Sequence, residues 1–168
     1  MKLFNQIYAF LSLSMLLSCG YSEEFNEVNH NNEFIIEFPD YMKASDDFQS
    51  ALSFKNAFRN TYSLVNVYNK DGQIFEEFQQ KTLGILKTYE PLSKALVTDS
   101  VYRENESFKA IDVQLYGIMN GENIYYWHSV FESKGKFFEV VCWTRSMDRK
   151  QRYGPDLAQI IASFKPLI

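Results

Sequence analysis

The spacing of apolar residues changes period several times along the chain, and each change marks an element. Phe34-Ile35-Ile36-Glu37-Phe38 reads as a short strand stopped by Pro39. Asp40 to Gln49 is a polar connection with room for a short helix. Ala51–Phe58 and Tyr62–Asn69 read as two strands folded back around Arg59-Asn60-Thr61. Leu52, Phe54 and Phe58 share one face of the first, while Val65 and Val67 alternate with Leu64, Asn66 and Tyr68 in the second. After Asp71-Gly72 the period lengthens to that of a helix. Ile74, Phe75, Phe78, Ile85, Leu86 and Tyr89 form one stripe opposite Glu76, Glu77, Gln80, Lys81 and Lys87, and Pro91 is the expected stop.

Strand periodicity then returns over Val97–Arg103, Phe108–Met119, Asn123–Glu132 and Lys136–Arg145. Asn120-Gly121 and Lys134-Gly135 are hairpin signals, so these four strands are expected to form an antiparallel meander. Pro155 suits the first turn of a closing helix, whose stripe is Leu157, Ile160, Ile161 and Phe164 and which ends before Pro166. The order predicts an α+β domain, an antiparallel sheet of about six strands flanked by helices beginning near Ile74 and Pro155.

The first residues follow another logic. Lys2 precedes an apolar run from Ile7 to Leu17 that is too short and too interrupted, by Ser12 and Ser14, for a membrane span. Leu16-Leu17-Ser18-Cys19-Gly20 resembles a bacterial lipobox, with an ordinary secretory leader as the alternative. The resemblance implies cleavage before Cys19, lipidation (including palmitate) of that residue and a membrane-tethered domain. At about 0.8 kcal/mol per buried CH₂, three acyl chains hold firmly where one is marginal. Gly20 in place of Asp, by resemblance to lipoprotein sorting in two-membrane bacteria, implies the outer membrane. Ser22-Glu23-Glu24 is either a solvated tether or a short acidic export signal. The expected division is therefore 1–18 leader, 19–33 flexible polar tether, and 34–168 a single domain.

Composition narrows the options. With 46% hydrophobic and 17% aromatic residues the chain is no disordered polymer. Its net charge of −4 becomes about −5 once Lys2 leaves with the leader, which argues against a nucleic-acid partner. Arg145, Arg149, Lys150 and Arg152 form the one basic cluster, read as a solvated turn around Asp148. With Cys19 lipidated, Cys142 stands alone in an apolar strand and reads as a buried inert thiol, so no disulfide supports the core.

The opening Phe34–Pro39 strand, the helix after the hairpin and the closing Ile160-Ile161-Ala162-Ser163-Phe164-Lys165 resemble the PsbP/DcrB-like superfamily. That resemblance spans about Phe34 to Lys165. It implies a central antiparallel sheet between helices, a PsbP-like α/β/α sandwich, in a small envelope or thylakoid-lumen protein. It carries no catalytic signature, and a fold alone does not give a function.

Catalytic chemistry is sparse. There is no Gly-x-Ser-x-Gly elbow, no phosphate or dinucleotide loop and no calcium loop. Of the two histidines, His30 falls in the expected tether among Asn29, Asn31 and Asn32, and His128 is mid-strand. No cofactor or metal site is expected. Sorting the long strands by alternation gives an apolar set, Ile111, Val113, Leu115, Tyr125, Trp127, Phe131, Phe138, Val140 and Cys142. The opposite set is Asp112, Gln114, Tyr116, Tyr126, His128, Glu132, Glu139, Trp143 and Arg145. From it Asp112, Tyr116, Tyr126, His128, Glu132, Trp143 and Arg145 are the candidate binding face, unless the closing helix covers them. The expected function is a non-enzymatic envelope binding or assembly-accessory module, taking an envelope protein or small ligand. The alternative is an envelope hydrolase or other enzyme using His128 with Asp112, Glu132 or Glu139.

Overall fold

The computed structural model describes residues 23–88 and 95–167. The lipobox-like segment with Cys19, and the expected helix stop at Pro91, lie outside them. Ten strands and two helices follow in the order β1 (Phe25–His30), β2 (Phe34–Pro39), β3 (Lys43–Ala44), β4 (Leu52–Asn56), β5 (Thr61–Asn69), α1 (Phe75–Thr88), β6 (Leu96–Glu104), β7 (Lys109–Met119), β8 (Glu122–Ser133), β9 (Lys136–Arg145), α2 (Met147–Ser163) and β10 (Lys165–Pro166). A seven-stranded sheet has the order β3-β4-β5-β9-β8-β7-β6, and a second sheet of three has β1-β2-β10. Every pairing is antiparallel. The α+β class holds, with one more strand in the main sheet than expected because the short β3 extends its edge.

The meander forms where the turn chemistry placed it. Asn120 and Gly121 (φ 52° and 80°), then Lys134 and Gly135 (φ 36° and 86°), close two-residue turns whose double positive φ matches the strands' twist. These turns also fix parity. Met119 pairs with Glu122, so odd positions of β7 stand beside even positions of β8.

One face of the main sheet packs on α2 and β2. Trp127, Phe131, Phe138, Val140 and Cys142 meet Leu157, Ile160 and Ile161 of α2, Phe164 at its C-terminal cap, and Phe34, Ile36 and Phe38 of β2. Phe164 is the knot of this core, with its ring 4.4 Å from Phe131 and 5.2 Å from Phe34 between centroids. The other face receives α1, where Phe75 and Phe78 lie on Phe137, Val130 and Ile111.

Four expectations change. Residues 25–30 of the supposed tether form β1, paired along its length with β2. Main-chain bonding, with Phe25 and Val28 packed on the core, supplies what its polar side chains do not advertise. Glu23 is likewise held, by Arg59 at 2.8 Å. Pro155 is interior to α2, which starts two turns earlier and absorbs the basic cluster Arg149, Lys150 and Arg152; the pyrrolidine leaves the Gln151 carbonyl without its helical donor. Phe58 lies beyond β4 in the turn and is exposed rather than sharing a face with Leu52 and Phe54. Ile74, just before α1, and Ile85 on it are exposed while Gln79 and Thr82 are buried, because the helix rests on the sheet through its first two turns.

Candidate functional site

Register decides which candidate residues meet. Asp112 pairs with Ser129, Gln114 with Trp127, and Tyr116 with Tyr125, all on the α2 face. Tyr126, His128, Glu132, Trp143 and Arg145 occupy the α1 face, together with Val113 and Leu115. The expected single binding face is therefore two half-sites on opposite sides of the sheet. The difference lies in β7 alone: strand-by-strand alternation sets its odd positions with the odd positions of β8, whereas the two-residue turn pairs odd with even. Both faces of β7 carry apolar or aromatic groups, so hydropathy gave no warning. The helix named as a possible cover, α2, lies on the opposite side from His128.

On the α1 face an aromatic row crosses three strands. Tyr62 pairs with Trp143, which pairs with Tyr126. Tyr62 and Trp143 stack at 5.0 Å and 12°, and Trp143 and Tyr126 at 6.0 Å and 20°. Phe48 caps the row edge-on, 5.2 Å from Trp143. Rings stacked upright against one another spend their faces internally, leaving only edges for a partner.

Beside the row lies a buried polar knot. His128 Nε2 is 3.0 Å from Glu139 Oε1, and Glu139 Oε2 accepts from Asn66 Nδ2 and the Tyr68 hydroxyl, each at 3.0 Å. Burial would raise the Glu139 pKa, but the hydrogen bonds and electrostatic attraction of His128, with those of Asn66 and Tyr68, outweigh it and hold the carboxyl below its usual range. Burial, then the Glu139 charge, pushes the Tyr68 phenol up. This is the acid–base pairing the enzyme reading needs. The His128 side chain is 0% exposed, however, so no substrate touches it in this conformation. Of the other carboxylates named with it, Glu132 is bonded to Lys70 and Asp112 lies across the sheet. Arg145 pairs with Ile124 at the end of β9, its Nε buried without a hydrogen-bond partner.

On the α2 face the helix covers β9 and β8 and stops short of the sheet edge, leaving a groove along its flank. Two adjoining hollows of about 90 and 160 Å³ share Gln114 and Trp127. One wall is α2, through Lys150, Ala158 and Ile161; the other is β6, through Thr98, Asp99 and Val101. Asp112 and Tyr116 are the two candidate residues here. Asp112 receives a two-pronged ion pair from Arg103 and a hydrogen bond from the Ser129 hydroxyl, and the Tyr116 hydroxyl donates to Asn123 at 2.7 Å. Gly154 lets α2 lie against the floor, since a Cβ there would stand 3.2 Å from the Trp127 ring. The Lys150 ammonium sits 4.8 Å over the Tyr125 ring. Nothing in the sequence marks Trp127 and Lys150 as site residues, since Trp127 belongs to the apolar series and Lys150 to the basic cluster. The alternating polar series Asp112, Gln114, Tyr116 was the signal that this strip is incompletely covered.

Among the described residues no three His, Cys, Asp or Glu side chains gather as a metal site, and no helix is long and apolar enough to cross a membrane. No protein-family model matches the chain, and no curated protein matches it in sequence. Solved structures do match in fold. Cyanobacterial PsbP (CyanoP) from Synechocystis superposes with a TM-score of 0.68 at 13% identity, over 89% of this chain and 97% of that one. The Saccharomyces cerevisiae Ran-binding protein Mog1p gives 0.64 at 8% identity, over 87% and 97%. LpqN of Mycobacterium tuberculosis, described as involved in cell envelope biogenesis, gives 0.53 at 14%, over 84% and 90%. The fold is PsbP-like; identities this low extend the likeness no further.

Proposed function

We propose that this chain is a cell-envelope lipoprotein, tied to the membrane through Cys19, whose PsbP-like domain is a non-enzymatic binding module that grips an envelope protein along the α2 groove. The observation that carries the binding reading is the groove's shape. It is a narrow trough floored by Trp127 and Tyr125, with Asp99, Asp112 and Lys150 along it and hollows of about 90 and 160 Å³. Small-molecule sites are usually about 300–1,000 Å³, so the trough suits a few inserted side chains of a partner better than an enclosed metabolite. The anchoring reading rests on Leu16 to Gly20, with Gly20 favouring the outer membrane. That LpqN, of similar fold, is described as an envelope-biogenesis protein supports the setting.

The test has two arms. Labelled palmitate should enter the intact protein and vanish with Cys19→Ala, which should also release the domain from membranes. A photo-crosslinker at exposed Thr98, on the groove wall, should trap one recurrent envelope protein, and Ala158→Arg, which fills the trough from an exposed helix position, should abolish the product. Palmitate uptake by the Cys19→Ala chain would refute the anchor. Crosslinking indifferent to Ala158→Arg would refute the groove. The enzyme reading has the 3.0 Å His128–Glu139 contact in its favour. It requires turnover of an envelope substrate that His128→Ala abolishes without unfolding the domain.

A further inference from the structure

Among the described residues the main sheet ends at β6, and nothing pairs with this edge. All of Leu96–Glu104 except Arg103 is exposed, and the exposed residues include Leu96, Val97, Val101 and Tyr102. Neither helix shields it: α2 packs on β9, β2 and β8, and α1 on β8. An edge this long normally carries a lysine, a proline or a covering loop to prevent pairing. β6 has neither lysine nor proline, and its one irregularity, a bulge between Val97 and Asp99, lies near its start.

Backbone alternation shows which groups face outward. Asn105 N–H donates to the Phe108 carbonyl at 3.0 Å, in register with the β6–β7 ladder. Arg103 and Val101 therefore turn their backbone groups toward β7, and Ser100, Tyr102 and Glu104 present theirs to the open side. Consistent with this, Ser100 N–H is taken up by its neighbour's carboxylate, Asp99 Oδ1, at 2.9 Å. An incoming antiparallel strand must match outward groups with outward groups.

We propose that β6 pairs with β6 of a second copy of this chain about a two-fold axis at Val101, joining two main sheets into one. This register sets Ser100 opposite Tyr102 of the copy as a hydrogen-bonded pair, Val101 opposite itself, and Asp99 opposite Arg103. Among registers the alternation allows, the neighbouring ones put Asp99 opposite Val101 or Asn105 and leave it without a cation across the seam, while Arg103 keeps only its own Asp112. The charge pattern of β6 is thus self-complementary in one register. Asp99 and Arg103 lie on the α2 face, as their pairing with Gln114 and Ala110 shows. They would meet as a non-hydrogen-bonded pair, where opposed side chains approach most closely. Arg103 holds Asp112 through Nε and Nη2, with its guanidinium 5.2 Å from the Phe131 ring. Asp99 would exchange its bond to Ser100 N–H for that guanidinium while Ser100 N–H joins the ladder. The bulge at Thr98 ends the straight run just beyond Asp99.

The experiment uses the full-length protein in detergent. Sedimentation should give a dimer. Val101→Cys should form a symmetric interchain disulfide under mild oxidation, located by mass spectrometry of the linked peptide, because self-opposed residues fall within disulfide reach. Tyr102→Cys, which opposes Ser100, should crosslink far more slowly. Tyr102→Pro removes an outward N–H without touching the β7 ladder, and Asp99→Arg places like charges opposite each other; each should return the protein to monomer with an unchanged circular dichroism spectrum. A wild-type monomer, a dimer indifferent to Tyr102→Pro, faster crosslinking at Tyr102→Cys, or open-ended oligomers would each overturn the proposal. Capture of a different protein's strand on β6, with no dimer, would do so too.

Discussion

Glu139 keeps its charge in a buried place because donors from three residues converge on it, and removing it strands all of them. Glu139→Ala should therefore cost about 3 kcal/mol at neutral pH, read by urea unfolding. Its folded pKa is depressed, so its contribution is present above the ordinary glutamate value of about 4.3 and fades as pH falls through the lower folded value. The deficit of the variant should accordingly shrink in acid. Cys142 shows the opposite effect: burial pushes its thiol up to about 12, partly offset by the Ser63 hydroxyl at 3.3 Å. It should stay unreactive toward iodoacetamide in the native state and alkylate only on unfolding. Ser146, between β9 and α2, sits at φ 66° and ψ 153° with no side-chain cap bond to justify the strain. Ser146→Gly should stabilise the domain by about 1 kcal/mol in thermal unfolding.

The two helices differ in how their glycines are used. At Gly84 in α1 an added Cβ would meet nothing within 4 Å, whereas at Gly154 in α2 such an atom would press on Trp127 at 3.2 Å. Gly84→Ala should therefore raise stability by up to about 1 kcal/mol, the ordinary helix-propensity gain. Gly154→Ala should gain little or lose, because α2 or the indole must shift. The strands were the elements most legible in the sequence: the limits of the four meander strands fall within a residue or two of those read from alternation and turns. β1 was not legible, since its hydrogen bonds belong to residues of any side chain. The interior position of Pro155 was not legible either, because a proline that suits a first turn also survives in a helix packed along most of its length.

For the whole molecule, the core tying α2, β2 and the main sheet together converges on Phe164. Phe164→Ala should cost about 3–5 kcal/mol and loosen the groove with the fold. Ala158→Arg, at an exposed position, should leave the unfolding midpoint nearly unchanged while closing the trough. The contrast separates damage to the scaffold from damage to the site.

The amino-acid sequence by itself determined the class, the order of the long strands and the two helices, the meander and its turns, because periodicity and turn residues are local and are written in the residues that form them. It also held the parity of β7 against β8, in the two-residue length of the Asn120-Gly121 turn, although alternation read strand by strand missed it. Which face each helix would take, the burial of His128 against Glu139, the assembly of Trp127, Lys150 and Asp112 into one groove and the open side of β6 were decided only in three dimensions. Each depends on contacts between residues far apart in the chain, and both faces of the sheet are apolar enough to have accepted either helix.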